Sequence, residues 1–274
     1  MPALDGDLGM EKKKLRVFLI VWIALIAAIL AAIFFVGLPR GHTESVQVMM
    51  KDAVLHGENK VSFFGISVNP ALISAYVVTG VLLFAALIIR IFAIPRFKNV
   101  PGRFQTVIET LVEFFANMAK TNAPHRTGFV AAYIFGAGVY VLFGTLFELF
   151  GLQAVTTHGT SITLPAPLAD INGAIAMGFL SFGVIWATGF IAGGFKGGIR
   201  VLKDFTLPVS MSFRLFGALL SGLLVTELVY YYVSLSFVLP VLVGVLFTIM
   251  HALIQTYVLT TLVSVFYGEA AEPR

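Results

Sequence analysis

Residues 171–195, INGAIAMGFLSFGVIWATGFIAGGF, form a run that contains no charged side chain and is rich in glycine and alanine. A helix needs about 20 apolar residues to cross a hydrocarbon core about 30 Å thick, and small residues let neighbouring helices pack closely in lipid. Comparable, mostly apolar runs predict membrane spans at 17–36, 71–92, 128–150, 171–195, 207–236 and 240–267. The sequence therefore predicts an all-α polytopic membrane protein with about six membrane-embedded helices.

A further span precedes the core of the chain. We predict a cytoplasmic N-terminus at 1–16, an extra N-terminal span at 17–36, an outer-side loop at 37–69 and a core at 70–274. Segment 38–68 is polar enough to form a small hairpin or loop. A cleaved signal peptide has a shorter apolar stretch and a small-residue cleavage site, and neither is clear in this sequence. An uncleaved signal-anchor is therefore the preferred interpretation, and a cleaved signal is the alternative.

The composition of the 274 residues excludes several classes of protein. Hydrophobic residues make up 58% and charged residues 12% of the chain, against about 45–50% and about 25% in soluble domains. So few charges cannot cover a soluble surface, which excludes a soluble enzyme, a disordered chain and a nucleic-acid binder. The sequence has no cysteine, no Gly-Lys-Ser/Thr phosphate loop and no His/Glu metal spacing, so we expect no cofactor and no metal. The pairs Gly193-Gly194 and Gly197-Gly198 flank Lys196 and predict a helix end and a turn.

The distribution of basic residues predicts the orientation. The formal net charge is only +4. If the N-terminus is cytoplasmic and six spans alternate in direction, 14 of the 18 Lys and Arg residues lie on the inner side and 3 on the outer side. This asymmetry follows the positive-inside rule and predicts that both termini are cytoplasmic. One basic residue, Arg214, is left inside a span.

Residues 103–121 form a predicted helix that does not cross the membrane. Its apolar side chains recur with a helical period, at Phe104, Val107, Ile108, Leu111, Val112, Phe115 and Met118. Polar side chains lie mostly on the other face. This amphipathic pattern is typical of a helix at the membrane surface or against a partner.

Arg214 is the residue that points most directly to a function. An arginine inside a span costs at least about 2.5–3.5 kcal/mol, so it must face water, an acid or a protein partner. The alternative is an arginine near a helix end that snorkels to the headgroups. At 100° per residue, Ser210, Arg214, Gly217 and Ser221 form one stripe. Small residues on the arginine's own face allow another helix to approach, and a guanidinium could attract and release a carboxylate on it.

Four motifs occur in order along the chain. They are Val100-Pro101-Gly102-Arg103-Phe104-Gln105, Leu168-Ala169-Asp170-Ile171-Asn172, Ser210-Met211-Ser212-Phe213-Arg214-Leu215-Phe216-Gly217 after Leu207-Pro208-Val209, and Gln255-Thr256-Tyr257-Val258. This series resembles subunit a, the stator ion-channel subunit of F-type rotary ATP synthases. The resemblance covers about 62–267 and leaves the first span outside.

The resemblance implies the role of the buried arginine. Arg214 would face a ring of c subunits, keep the membrane carboxylate of each c subunit ionised as it passes, and separate two aqueous half-channels for H⁺ or Na⁺. A guanidinium cannot give up its proton, so it would act as an electrostatic gate and not as a carrier. Ser210, Gly217 and Ser221 would face the rotor, and the last two helices would be long and strongly tilted against it.

The resemblance also implies the partners and the location of the chain. It would be a non-catalytic subunit of the ATP synthase, bound to the c ring, to b-type peripheral stalk subunits and to the remaining complex. It would span the plasma (inner) membrane and bind no nucleic acid. It would couple the ion gradient to ATP synthesis or hydrolysis.

Further polar residues in or near the spans are half-channel candidates: Glu148, Asp170, Asn172, Ser221, Glu227, His251 and Gln255. Three of these residues also have a simpler interpretation. Glu148 could be a helix-end acid, Asp170 a helix N-cap, and His251 the hydrogen-bond partner of a neighbour. Glu227 lies about 220° around the helix from Arg214, away from the rotor stripe. His251 and Gln255 are spaced i, i+4 and share one helix face.

The sequence departs from the family pattern at two positions. Ala218 stands where the family has Asn, and Leu223 where an acid or His is common; Glu227 lies one turn beyond Leu223 and could replace it.

Two other functions stay open from the sequence alone. The first is a stand-alone secondary transporter in which Arg214 binds an anion, although no internal repeat supports it. The second is a structural membrane subunit.

Overall fold

The computed structural model describes residues 22–23, 61–63, 66–124, 126–155, 161–231 and 239–272. Apart from residues 22–23, the predicted first span at 17–36 lies outside these residues, as does most of the loop at 37–69. The strands are β1 (Val61–Phe63), β2 (Ile66–Val68), β3 (Gln153–Val155) and β4 (Ser161–Thr163). The helices are α1 (Pro70–Ile88), α2 (Arg103–Asn122), α3 (Thr127–Leu146), α4 (Ile171–Leu202), α5 (Thr206–Tyr231) and α6 (Leu239–Ala271).

Short helical turns extend three of these elements. A π-helical turn, Ile89–Ala93, and a 3-10 turn, Ile94–Arg96, continue α1. The 3-10 turn Phe147–Phe150 continues α3, and the 3-10 turn Pro167–Ala169 leads into α4. Helices α1, α3, α5 and α6 thus begin within one residue of the predicted starts at 71, 128, 207 and 240.

The predicted class, an all-α polytopic membrane protein, is confirmed. Among the described residues, four helical stretches are long and apolar enough to cross a membrane: Pro70–Arg96, Thr127–Phe150, Ile171–Leu202 and Gly244–Ala271. Helix α5 has 26 residues, which also exceeds the length of about 20 residues that a span needs. The total of six spans stays a prediction, because 17–36 lies outside the described residues.

Two small antiparallel hairpins accompany the helices. In the first, Val61 pairs with Val68, and in the second, Gln153 pairs with Thr163. Both lie in connections that we predict on the outer side of the membrane. The first agrees with the small hairpin or loop expected within 38–68, and the second was not foreseen.

Helix α6 is the centre of the core, and α2, α3, α4 and α5 pack against it. The largest fully buried side chains come from four different helices: Val130, Ile134 and Val141 of α3, Ile185 of α4, Met211 and Leu215 of α5, and Val263 of α6. Helix α1, by contrast, exposes most of its apolar side chains and contacts mainly α3 and the turn before α4. Helix α1 therefore lies at the edge of the helix bundle, and α6 lies at its centre.

Helix α2 agrees with the predicted amphipathic helix, and its bounds differ by one residue at the end. Phe115 and Ala119 are buried against the core, while Phe104 and Val107 are exposed. Exposed apolar side chains on an amphipathic helix suit contact with lipid or with a partner. The polar face carries a hydrogen bond from Gln105 to Glu109 at 2.8 Å.

Helix α4 reverses direction near its end, which corrects the predicted span at 171–195. Gly193 and Gly194 leave helical geometry, with φ of −125° and +60°. In a straight helix Trp186 and Gly198 would lie about 18 Å apart, yet the indole Nε1 of Trp186 donates to the carbonyl of Gly198 at 3.1 Å. The segment after the turn therefore lies back along α4. The predicted turn is confirmed at Gly193-Gly194, whereas Gly197-Gly198 lies within the returning helical segment.

Candidate functional site

The stripe that contains Arg214 lies on an open face of α5. Ser210, Arg214, Gly217 and Ser221 are all exposed. On the opposite face, Met211, Leu215 and Leu219 are buried in the core. No other group lies within 4 Å of a first side-chain carbon placed on Gly217. A fixed positive charge therefore lies on a surface of small side chains with room for another helix.

Gln255 lies on α6 and is not on its open face. Leu253, Ile254 and Tyr257 are exposed on that helix, whereas Gln255 and its neighbour Thr256 are only 6% and 7% exposed. Gln255 Oε1 and Thr256 Oγ1 have no hydrogen-bond partner among the described residues. Buried polar atoms are almost always paired in folded proteins. Gln255 Oε1 could therefore accept a hydrogen bond from water, and Thr256 Oγ1 could accept or donate one.

His251 lies one turn before Gln255 and is half-buried between the last two helices. Its ring is 5.7 Å from the ring of Phe247, at a tilt of 41°. Across the helix contact it faces Gly222 of α5. Glu227 lies on the same helix as Gly222, and its side chain is outside what the structure describes. The geometry brings His251 to the α5–α6 contact and leaves the position of the Glu227 carboxylate a prediction.

Asp170 and Asn172 lie at the start of α4. Both line an apolar cleft of about 700 Å³ between α1, α3 and α4. Asp170 has the extended backbone of an N-cap residue, with φ −85° and ψ 136°, but its side chain makes no capping hydrogen bond. It accepts instead from the Asn69 Nδ2 group at 3.1 Å. The simpler interpretation, a carboxylate that caps its own helix, is therefore wrong for the side chain.

Two hydroxyl groups meet where Tyr133 lines this cleft. Tyr133 of α3 and Ser181 of α4 lie 2.9 Å apart, and Ser181 also donates to the carbonyl of Met177 at 2.8 Å. Because the one proton of Ser181 is used by Met177, the tyrosine hydroxyl donates to Ser181 Oγ. The lining of the cleft thus includes the Tyr133 hydroxyl as well as Asp170 and Asn172, and is otherwise mostly apolar.

Glu148 lies apart from the cleft. It is half-buried in the turn Phe147–Phe150 that ends α3. It is not one of the cleft's lining residues, unlike Asp170 and Asn172. Of the three polar residues predicted on the outer side, Asp170 and Asn172 therefore line one cleft. Glu148 lies elsewhere on the same predicted side.

A second cleft, of about 430 Å³, lies at the opposite, predicted inner end of the helices. Arg200, Asp204, Glu269 and Glu272 line it together with Leu207. The Arg200 guanidinium donates to the carbonyls of Glu269 and Ala270 at 3.4 and 3.3 Å. Sequence reasoning missed this cleft because its residues come from the ends of α4, α5 and α6. In the described part of the chain, no group of three His, Asp or Glu residues could hold a metal ion.

Comparisons with known proteins agree with these features. Residues 73–268 match the family described as ATP synthase A chain. "ATP synthase subunit a" of Cereibacter sphaeroides is 29% identical over 210 residues, covering 72% of this chain and 80% of that protein. Subunits of the same name from Methylobacterium sp. and Parvibaculum lavamentivorans are each 26% identical, over 73% and 64% of this chain and 88% and 75% of theirs. With the family match spanning most of its length, the chain belongs to the ATP synthase A chain family, subunit a of the F-type ATP synthases.

Proposed function

We propose that this chain conducts H⁺ or Na⁺ through two half-channels that meet at Arg214, on the face where a ring of c subunits turns. Ion translocation in an F-type ATP synthase is the function of its family. The observation that carries the assignment to residues is the exposed stripe of α5, on which Arg214 lies between Ser210 and Gly217 while the opposite face is buried. Ser221 extends the stripe.

The charge of Arg214 explains how the two half-channels stay separate. A guanidinium stays protonated at any relevant pH, so it cannot relay a proton past itself. In a low-dielectric surrounding it attracts the rotor carboxylate strongly and favours its ionised form. An ion must then leave the carboxylate on one side of Arg214 and bind again on the other side, which couples ion flow to rotation.

The outer half-channel is assigned to the polar groups at the predicted outer side. Asp170, Asn172 and Glu148 provide entry, and Glu227, His251 and Gln255 lie deeper along α5 and α6. The half-buried His251 and the unpartnered Gln255 Oε1 support this assignment. A polar group in a membrane is costly unless water, an ion or a partner satisfies it.

The inner half-channel is assigned to the cleft of Arg200, Asp204, Glu269 and Glu272. Leu207 lines this cleft and lies seven residues before Arg214, about 10 Å along the same helix. Seven residues make nearly two turns, so the two positions share almost one face of α5. Water in the cleft would therefore reach to about two helical turns from the arginine.

The partners and the location follow from the same proposal. The open face of α5 is the contact with the c ring, and the exposed side of α1 is the contact with b-type peripheral stalk helices. The complex lies in the plasma (inner) membrane, with both termini of this chain in the cytoplasm. The chain supports ATP synthesis or hydrolysis by other subunits and is itself non-catalytic.

The decisive experiment replaces Arg214 in the whole complex. In inverted membrane vesicles, Arg214→Ala should abolish ATP-driven ion pumping, while ATP hydrolysis continues uncoupled. Arg90→Ala, at an exposed arginine in the turn after α1, is the matched control and should pump normally. Normal pumping by Arg214→Ala would overturn the proposal.

A second experiment tests the acid on α5. Glu227→Leu should impair pumping more than Glu113→Leu, because Glu113 lies on the exposed polar side of α2. Both substitutions remove one carboxylate and add one apolar side chain. Equal and mild effects would refute a channel role for Glu227 and leave that of Arg214 standing.

A further inference from the structure

Asn69 makes two hydrogen bonds that fix the orientation of its carboxamide. Its Oδ1 accepts from the backbone N–H of Ala71 at 3.0 Å, which caps α1. Its Nδ2 donates at 3.1 Å to Oδ1 of Asp170, which lies 101 positions later in the chain. Because the oxygen is used by the cap, only the NH₂ group can face Asp170. The side chain thus joins the start of α1 to the start of α4.

Asp170 has an alternative partner that it does not use. An aspartate at an N-cap normally turns its carboxylate over the free N–H groups of the first helical turn, which the helix dipole also favours. The backbone of Asp170 is in the N-cap conformation and its carbonyl accepts from Ala174 at 3.1 Å. Its side chain nevertheless lies toward Asn69 and lines the cleft. Local preferences of this kind are most often overridden at functional sites.

We infer that Asn69 is a positioning residue for ion translocation: it holds the Asp170 carboxylate toward the outer cleft and away from the N-terminus of α4. With Asn69 in place, the carboxylate is half-buried at the cleft and open to ions that enter from the outer side. Without that hydrogen bond, the carboxylate would rotate onto the N–H groups at the start of α4. The inference rests on the proposed role of Asp170 in the outer half-channel.

The test is a double-mutant cycle on Asn69 and Asp170 in the complete ATP synthase. Asn69→Ser keeps an N-cap oxygen for α1, because serine is a good N-cap residue, but it is too short to reach Asp170. We expect Asn69→Ser to lower the rate of ATP-driven pumping in inverted vesicles by about tenfold, the lower end of the effect of a lost hydrogen bond to a charged group. Asp170→Asn should lower it at least as much. The double variant should match Asp170→Asn alone, because Asn69 acts only through that carboxylate.

Controls separate positioning from folding. The amount of assembled complex and the rate of uncoupled ATP hydrolysis should be unchanged in Asn69→Ser. Asn69→Ala loses both the cap and the donor, so any further loss in that variant measures the cap alone. Coupling between the two positions is a result that a purely structural role of Asn69 would not give.

Three outcomes would overturn the inference. If Asp170→Asn pumps normally, the outer role of Asp170 fails and the inference fails with it. If Asp170→Asn is impaired but Asn69→Ser pumps normally, the role of Asp170 stands and that of Asn69 is wrong. If the effects of the two single variants multiply in the double variant, Asn69 acts independently of Asp170 and the inference is wrong.

Discussion

The imidazole of His251 on α6 faces Gly222 on α5, so that a first side-chain carbon at Gly222 would lie 3.7 Å from Nδ1 of His251 and 3.9 Å from its Cε1. These distances are ordinary van der Waals contact, which leaves room for one methyl group and no more. Phe247, one turn earlier on α6, packs against the ring of His251. The histidine can therefore lie in the contact between the last two helices only while the side chain at position 222 is no larger than a methyl group.

This relationship predicts how substitutions at Gly222 affect pumping. Gly222→Ala should keep at least half of the normal rate, because a methyl group fits. Gly222→Leu should displace His251 and lower ATP-driven pumping by about tenfold or more, since small misplacements at a reacting centre are costly. The rate in inverted vesicles measures both.

The matched control is Gly244→Leu on α6, where nothing lies within 4 Å of a first side-chain carbon. It should pump nearly normally. If Gly222→Leu pumps as well as Gly244→Leu, the position of His251 does not matter for ion transfer.

The sequence predicted the helices and the open face of α5 because these depend on local patterns. Charge-free runs predict spans from length alone, and the spacing of Ser210, Arg214 and Gly217 places them on one face of any helix. The amphipathic period predicts α2 over 103–121, close to the observed Arg103–Asn122. These features need no knowledge of which helix is next to which.

The open face leads to a prediction about the rotor contact. Gly217 lies three residues after Arg214, and nothing lies within 4 Å of a first side-chain carbon there. Gly217→Phe should therefore leave the chain folded but place a large ring on the face where we propose that the c ring passes. We expect pumping to fall by at least about tenfold while the amount of subunit in the membrane is unchanged.

Gly80→Phe on α1 is its control, since that glycine also has nothing within 4 Å of a first side-chain carbon. Both variants add the same ring to an open position of a membrane helix. Normal pumping by Gly217→Phe would show that this stripe does not face the rotor.

The reversal of α4 predicts a difference between two adjacent glycines. Gly194 has φ +60° and ψ −148°, a conformation that is essentially restricted to glycine, whereas Gly193 has φ −125°. Neither has a group within 4 Å of a first side-chain carbon, so space does not distinguish them. Gly194→Ala should destabilise the subunit by about 1–3 kcal/mol, and Gly193→Ala by much less. Thermal unfolding of the purified complex measures both, and equal midpoints would contradict the turn at Gly194.

Contacts between distant segments could not be predicted from the sequence. The partner of Asp170 is Asn69, 101 positions away, and only the packing of α1 against the start of α4 brings them together. The inner cleft could not be predicted for the same reason. Arg200 and the acids that line it come from different helix ends, so they form no motif in the sequence. Asp170 is the N-cap residue of α4, as predicted, but its side chain does not make the capping hydrogen bond, because local propensity takes no account of a competing donor from a distant segment.

The packing of α2, α3 and α6 supplies the last prediction. A first side-chain carbon at Gly138 would lie 2.7 Å from Cε1 of Phe115 and 3.0 Å from Cγ2 of Thr260. The ring of Phe115 is 3% exposed and packs edge-on against Phe135 at 5.7 Å, so it has little freedom to move. Gly138→Ala should therefore destabilise the subunit by about 1–3 kcal/mol through overpacking. Gly136→Ala, two residues earlier with nothing within 4 Å, should have little effect on unfolding. In the double variant Phe115→Leu/Gly138→Ala the loss of stability should be smaller than the sum of the two single losses, because a smaller side chain makes room for the methyl group. A double loss equal to that sum would show that the two residues do not compete for one space.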